Sequence, residues 1–412
     1  MFLKNKMKIL YLSYDGLTDP LGQSQILPYL IHLTKQGFRF TILSFEKRDR
    51  FEKEAAIIES IVAAHEITWV PLFFTPKPPV LSKIYDRHQM WRTALRLQQQ
   101  HSFSLIHCRS YVAAEVGLKL KERFGCKMLF DMRGFWADEK VDNGQWNLKS
   151  PLFKWIYQFY KKKEKEFLLK ADGIVSLTYA AKEVLLQQPA YSQLSIDVIP
   201  CCADLQHFNF EAVSEQTINQ KRAALQIPPN AKVITYLGSV GGWYMTKEMF
   251  LLFAAIQKQY PNYVMLVLTK DASEKVIQEA VDCGIPANKI YITYASRQEL
   301  PSYLAMCSAS LFFIRNSYSK TASSPTKHAE LMGMGIPVIC NDIGDTGNII
   351  SHTKTGLLIA DFSAAAMHKA VNTLPQLEHI DKKHIRTCAK ELFDLTAGAE
   401  KYYQLYQRIL KS

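Results

Sequence analysis

The densest concentration of groups able to do chemistry is Arg315-Asn316-Ser317-Tyr318-Ser319-Lys320-Thr321-Ala322-Ser323-Ser324-Pro325-Thr326-Lys327-His328-Ala329-Glu330. It follows the apolar run Leu311-Phe312-Phe313-Ile314 and opens a helix-patterned segment. Ser324 is a good N-cap, Pro325 suits the first helical position, and Thr326 and Lys327 complete the first turn. A helix start offers free N–H groups and a positive dipole end, which together suit a diphosphate. Arg315, Lys320 and Lys327 can add positive charge there, and Glu330, one turn further on, can accept both hydroxyls of a ribose. Nucleotide binding is the chemistry these residues describe. The plainer reading, a capped helix start with a solvated Glu330, stays open, because Ser-Pro helix starts are common.

A second group lies in the first half. Ile106-His107-Cys108-Arg109-Ser110-Tyr111 and Phe130-Asp131-Met132-Arg133-Gly134-Phe135-Trp136-Ala137-Asp138-Glu139 each end an apolar run. Arg109 and Arg133, with His107 nearby, are expected to face one cleft and hold a phosphate or carboxylate, since guanidinium binds both in bidentate fashion. Asp138 and Glu139 can position a substrate hydroxyl or serve as its base. Arg133 paired internally with Asp131 or Asp138 is the competing expectation. The loop Asp15 to Gln25 carries Gly16 and Gly22 but no G-x-G-x-x-G; Gly16 would let backbone amides approach a ligand closely, although turn chemistry alone also explains a glycine here.

These groups need strand ends to present them, and the chain supplies strands at regular intervals. β-rich apolar runs at 8–13, 38–44, 67–71, 103–107, 127–131, 173–177 and 196–199 alternate with helical patterns, and so do runs at 232–238, 264–268, 289–294, 309–314, 336–340 and 356–359. Alternation of this kind predicts an α/β protein with parallel sheets covered by helices on both faces, binding ligands at the carboxyl ends of the strands. A chain of 412 residues exceeds one compact core. The expected organisation is two Rossmann-like domains facing a central cleft: residues 1–203, a linker at 204–230, residues 231–392, and a helix at 393–412 packing back toward the N-terminal domain.

Ser324-Pro325-Thr326-Lys327-x-x-Glu330-x-x-x-x-Gly335-x-Pro337-Val338 resembles the donor motif of the group 1 (family 4) retaining glycosyltransferases of the GT-B fold. Asp15-Gly16-Leu17-Thr18-Asp19-Pro20-Leu21-Gly22-Gln23-Ser24-Gln25 is similar to the first loop of that family, Pro200-Cys201-Cys202-Ala203-Asp204 to its interdomain linker, and Tyr236-Leu237-Gly238-Ser239 to its first C-domain strand and turn. The resemblance implies a nucleotide-sugar donor held by the second domain, with Ser239 and Lys247 beside the motif residues. It also implies a glycan or lipid-linked acceptor held by the first domain, transfer of a hexose-type sugar with retention, no metal, no further cofactor, and a role in surface polysaccharide or glycolipid synthesis. Three positions depart from the family pattern. Ala322 stands where many members have a second Glu, the basic residues after the Gly238 turn are only partly present, and Arg133 stands where many members have a His.

Composition narrows the alternatives. Net charge is +12, and residues 1–205 hold 29 Lys and Arg against 21 Asp and Glu, so most of the excess is in the first half. Such a field attracts phosphorylated substrates and anionic lipid; nucleic acid would rest on net charge alone and is not expected. Six of the eight cysteines are scattered singly and only Cys201-Cys202 are adjacent, which reads as reduced packing residues rather than a metal site. No apolar run reaches membrane-spanning length, so a cytoplasmic chain is expected. Residues 145–170 mix Trp146, Trp155, Tyr157, Phe159, Tyr160 and Phe167 with seven lysines. That pattern fits either peripheral contact with the anionic inner face of the membrane or an ordinary helix with a basic solvated side. A nicotinamide-dependent oxidoreductase, with Glu46 on a ribose, and a non-catalytic sugar-nucleotide binder are the competing functions.

Overall fold

The computed structural model describes residues 7–411. The chain forms two compact units: one of residues 1–200 with 395–412, the other of residues 201–394.

The first unit is built on a seven-stranded parallel sheet of order β3-β2-β1-β4-β5-β6-β7. Its strands are β1 (Met7–Ser13), β2 (Phe38–Glu46), β3 (Thr68–Phe73), β4 (Leu105–Arg109), β5 (Lys127–Asp131), β6 (Gly173–Ser176) and β7 (Ile196–Val198). Central strands β1 and β4 are buried almost throughout, as a sheet covered on both faces requires. β3 lies at the edge and contains Pro71, a position where the missing N–H costs no ladder bond. The closing helix Leu395–Lys411 belongs to this unit and buries Tyr402, Leu405, Tyr406 and Ile409. It runs so close to β6 that a Cβ on Gly173 would sit 2.5 Å from Ile409 Cδ1.

The second unit holds a six-stranded parallel sheet of order β10-β9-β8-β11-β12-β13. The strands are β8 (Lys232–Leu237), β9 (Tyr263–Leu268), β10 (Ile290–Thr293), β11 (Ala309–Phe312), β12 (Val338–Asn341) and β13 (Gly356–Ile359). In both sheets the order reverses beside the first strand, between β1 and β4 and between β8 and β11. Such a reversal opens a crevice at the carboxyl ends of the two strands, where α/β sheets bind ligands.

The stretch 204–230 is not a linker but part of the second unit. Leu205, Phe208 and Ile227 are buried in its core, and Ser214 caps the helix Glu215–Ala224 by accepting from the Thr217 amide at 3.2 Å. The buried Arg386 donates to the carbonyls of Leu205, Phe208 and Gly333 at 2.5–2.6 Å, which fixes this stretch to the helix that carries Lys327 and Glu330. All eight cysteines are free thiols, seven of them buried. No described helix is long and apolar enough to cross a membrane.

Candidate functional site

The site of the second unit is built from two loops flanking the reversal between β8 and β11. The loop after β8 turns at Gly238, whose φ of 132° favours glycine; a Cβ there would lie 2.6 Å from Lys327 Nζ. The loop after β11 passes through the turn Tyr318–Ala322 and enters the helix Thr326–Gly333. That helix begins later than its sequence suggests. Pro325 is the cap residue, and Ser324 does not cap: its Oγ accepts from the Cys201 amide at 3.1 Å. No side chain closes the helix start, so the first amides remain without an internal cap, the condition under which a helix N-terminus takes an anion.

Lys327 is the key side chain. It is 7% exposed, and Nζ is buried with no hydrogen-bond partner among the described residues. It lies over the rings of Tyr244 at 3.7 Å and Tyr236 at 4.6 Å. Burial drives its pKa down to about 7, against the pull of the Glu330 carboxylate. An ammonium left this way is costly unless an anion completes its shell, and its neighbours are the amides and the glycine turn that would hold that anion. Two more cations converge on one ring, Lys320 at 3.9 Å and Arg315 at 4.8 Å from the Trp243 centroid. Lys320 is buried. The Ser239 carbonyl accepts from the Tyr236 hydroxyl, which pins the turn over Lys327. Lys247 is exposed in the first turn of the helix Thr246–Gln259.

Glu330 is 6% exposed, and burial raises its pKa while Arg297 opposes the rise. Its Oε1 accepts from Arg297 Nη1 at 3.1 Å, which leaves Oε2 as the oxygen for the ribose hydroxyls expected from the sequence. Arg297 is in turn held by the His207 imidazole on its carbonyl at 2.8 Å and lies 5.3 Å from the Phe208 ring centroid. Sequence reasoning missed Arg297, Trp243 and the two tyrosines. Arg297 sits in a polar loop far from Glu330 in sequence, and aromatic residues near a strand end look like core.

His328, next to Lys327, faces the other way. Its ring lies between Phe312 and Phe393, with centroids 5.7 and 5.5 Å away. Neither ring nitrogen has a partner among the described residues, and burial lowers its pKa to about 4. An unsatisfied buried imidazole destabilises by about 1–3 kcal/mol. His328→Leu should therefore raise unfolding stability by about 1–2 kcal/mol at pH 7. The pH dependence has a definite sign. The unfolded histidine titrates near 6.5 and the folded one near 4, so between these values the unfolded chain binds more protons. Stability is full above about 6.5 and is lost as pH falls toward 4. Urea midpoints at pH 7 and 5 should show the advantage of the leucine variant growing at pH 5; an equal gain at both would refute the assignment.

The first unit gathers its expected residues into a buried network rather than an open site. His107 is 2% exposed, with Nδ1 bonded to the Tyr406 hydroxyl at 2.6 Å and Nε2 3.4 Å from Asp131 Oδ2. Both nitrogens are engaged, so His107 is not an acceptor ligand. Arg109 is 3% exposed, donates to Asp15 at 3.2 Å, and leaves buried Nη1 without a hydrogen bond. Arg133 has a left-handed φ of 58° and lies 3.8 Å from Asp131 Oδ2, the internal pairing weighed in the sequence. Asp138 is committed too: Tyr157 donates to Oδ1 at 2.8 Å and Lys161 to Oδ2 at 2.9 Å. A carboxylate so bound is a poor base, which corrects the role expected for it. Glu139 remains partly exposed in the same helix turn.

Gly16 has a packing reason. A Cβ there would come within 2.5 Å of Glu46 Oε2. Glu46 is fully buried and accepts from the Leu17 and Thr18 amides, the Thr18 hydroxyl and Ser44 at 2.5–3.1 Å. With its oxygens saturated by its own loop, Glu46 cannot take a ribose, which removes the observation that favoured a nicotinamide enzyme. The helix Pro151–Lys170 buries Tyr160, Glu164, Phe167 and Leu168, while Leu152 is 51% exposed. Inside, the Tyr111 hydroxyl donates to the Glu164 carboxylate.

Residues 217–391 match the model of the group 1 glycosyl transferases, and residues 29–207 match that of glycosyltransferase family 4. A D-inositol 3-phosphate glycosyltransferase of Rhodococcus erythropolis is 21% identical over 276 residues, covering 64% of this chain and 59% of the relative. The match thus spans less than two thirds of that relative's length. Among solved structures, the chain is similar to sucrose-phosphate synthase from Thermosynechococcus elongatus, with a TM-score of 0.71, 16% identity, and 98% of this chain and 99% of the other covered. It is also similar to Anabaena HepE in complex with UDP and glucose, with a TM-score of 0.70, 16% identity, and 97% and 99% covered. At this identity the likeness establishes a shared fold, two α/β domains with parallel sheets.

Proposed function

Because the chain belongs to the group 1, family 4 type of glycosyltransferases, we propose that it transfers a hexose-type sugar from a nucleotide-sugar donor to a glycan or lipid-linked acceptor with retention of configuration. The observation that carries this reading is the buried, unpartnered Lys327 Nζ at an uncapped helix start beside the Gly238 turn. The donor diphosphate lies against the amides of Thr326 and Lys327, with Lys327, Lys320 and Arg315 matching its charge and Ser324, Pro325 and Ser239 shaping the pocket. Negative charge grows on this diphosphate as the sugar departs, so positive groups fixed there lower the barrier. Glu330 takes the ribose through Oε2 while Arg297 keeps the carboxylate ionised. Lys247, exposed in the helix that follows the Gly238 loop, is a peripheral contact in this reading. A HepE complex containing UDP and glucose makes UDP the first base to test.

In this reading the first unit holds the acceptor. Arg109 and Arg133 supply positive charge near its β4 and β5 ends, and Glu139 orients an acceptor hydroxyl. No metal or further cofactor takes part. Trp155 and Leu152, 64% and 51% exposed beside Lys149 and Lys154, suit peripheral contact with anionic lipid, consistent with action in the cytoplasm on surface polysaccharide or glycolipid precursors.

The test is a thermal-shift panel of UDP, GDP, ADP, CMP and dTDP with and without attached sugars, followed by donor hydrolysis on the best binder. A ligand at about 100 times its Kd should add about 2.7 kcal/mol of stability. No stabilisation by any of them would refute the donor site, and binding without turnover would mark a non-catalytic relative, the reading that buried Ala322 in place of a second Glu keeps alive.

A further inference from the structure

The first unit carries a groove that none of the preceding chemistry uses. It runs along the carboxyl-terminal part of the edge strand β3, between that strand and the helix Pro79–His101, and encloses about 770 Å³. Its floor is Pro71 to Phe74. Arg48, His88, Arg92 and Arg96 line it, and no carboxylate does.

The charges on that helix fall into two kinds. Lys83 and Arg87 have carboxylate partners, Asp86 at 3.8 Å and Glu115 at 2.9 Å. His88, Arg92 and Arg96, one turn apart along the groove wall, are exposed and have no ion-pair partner among the described residues. Arg48 lies 4.8 Å from the Phe73 ring centroid, across from them. In this stripe the like charges of Arg92 and Arg96, spaced i, i+4, cost an isolated helix a few tenths of a kcal/mol. Its spacing, one helical turn of about 5.4 Å, matches a ligand whose charges repeat along a chain rather than a single phosphate. Aromatic and proline faces below the stripe suit the C–H faces of sugar rings.

We infer that this groove binds the anionic chain of a growing glycan, one carrying carboxylates or phosphodiesters along its length. The inference rests on the reading of the first unit as the acceptor side and adds the class of acceptor. Cations hold the repeating charge, and Phe73, Phe74 and Tyr85 hold the rings. A polynucleotide would share the charge, but its site would need a longer basic track than Arg48 and the three groups of this helix.

The experiment uses the full chain. Fluorescence anisotropy would follow binding of a labelled galacturonate octamer and of a glycerol phosphate octamer, with a maltooligosaccharide and an oligo-dT of equal charge as comparisons. At least one anionic glycan should bind at least tenfold tighter than both comparisons. R92Q/R96Q, exposed substitutions far in sequence from the donor residues, should weaken it about tenfold while leaving the thermal shift with the nucleotide sugar unchanged. Binding of oligo-dT as tight as the better-bound glycan, no preference over the neutral sugar, or undiminished glycan binding by the variant would each overturn the inference. Failure of the donor reading would show separately, as absence of a nucleotide-sugar shift in the unaltered protein.

Discussion

Lys327→Met should reduce affinity for the nucleotide sugar about 10-fold to 150-fold, the effect of losing a hydrogen bond to a charged group at about 1.5–3 kcal/mol. Methionine fills the same slot over Tyr236 and Tyr244 without the charge, so the fold should hold and even gain stability. The free lysine has a pKa near 7 because burial penalises its ammonium; a diphosphate alongside must raise it. Binding above pH 7 therefore takes up a proton. The sign follows: with a nucleotide sugar, whose pyrophosphate diester does not itself titrate in this range, affinity should fall by up to tenfold per pH unit from about 7 to 9. Calorimetry at pH 8 in buffers of different ionisation enthalpy should register close to one proton taken up, and none for Lys327→Met. A pH-independent affinity, or proton uptake that survives in the variant, would remove Lys327 from the diphosphate.

How this site could be read beforehand varies from element to element. The strands were plain because a buried parallel sheet needs continuous apolar runs, and Val264 to Leu268 or Ile9 to Leu12 can hardly be anything else. Strand ends were less plain. The run expected at 309–314 stops at Phe312 in the ladder, since the Asn341 side chain takes over and bonds both the amide and the carbonyl of Ile314 at 2.9 and 2.8 Å. No pattern of hydrophobicity announces an amide that imitates a strand. Polar composition misled at 204–230, where the three buried apolar residues decide the fold. Among site residues, Lys327 and Glu330 could be found because they share one helix with a recognisable start. Their partners could not, because Tyr236, Tyr244 and Arg297 meet them only through tertiary contact. Charged side chains were misjudged in a consistent way: His107, Asp138 and Glu46 look available in a sequence and are consumed by neighbours in the fold.

Glu330→Ala should lower nucleotide affinity at least 100-fold, since hydrogen bonds to a buried charged acceptor contribute about 1.5–3 kcal/mol each and a ribose offers two hydroxyls. Part of that loss would come from Arg297, left facing a void. The Arg297 contribution can be isolated. In Arg297→Met the carboxylate keeps its place but loses the cation that opposes the burial-driven rise in its pKa, so it protonates at higher pH and offers a poorer acceptor to the ribose. As pH falls, nucleotide affinity of this variant should begin to drop at a higher pH than that of the parent protein, a trend opposite in direction to the Lys327 effect. Glu330→Gln, with no charge to protect, should be insensitive to the state of Arg297. The double variant should then bind as Glu330→Gln does, giving a coupling of about 1–3 kcal/mol at pH 6. Additive losses in that cycle would mean that Arg297 contacts the nucleotide directly instead of acting through the carboxylate.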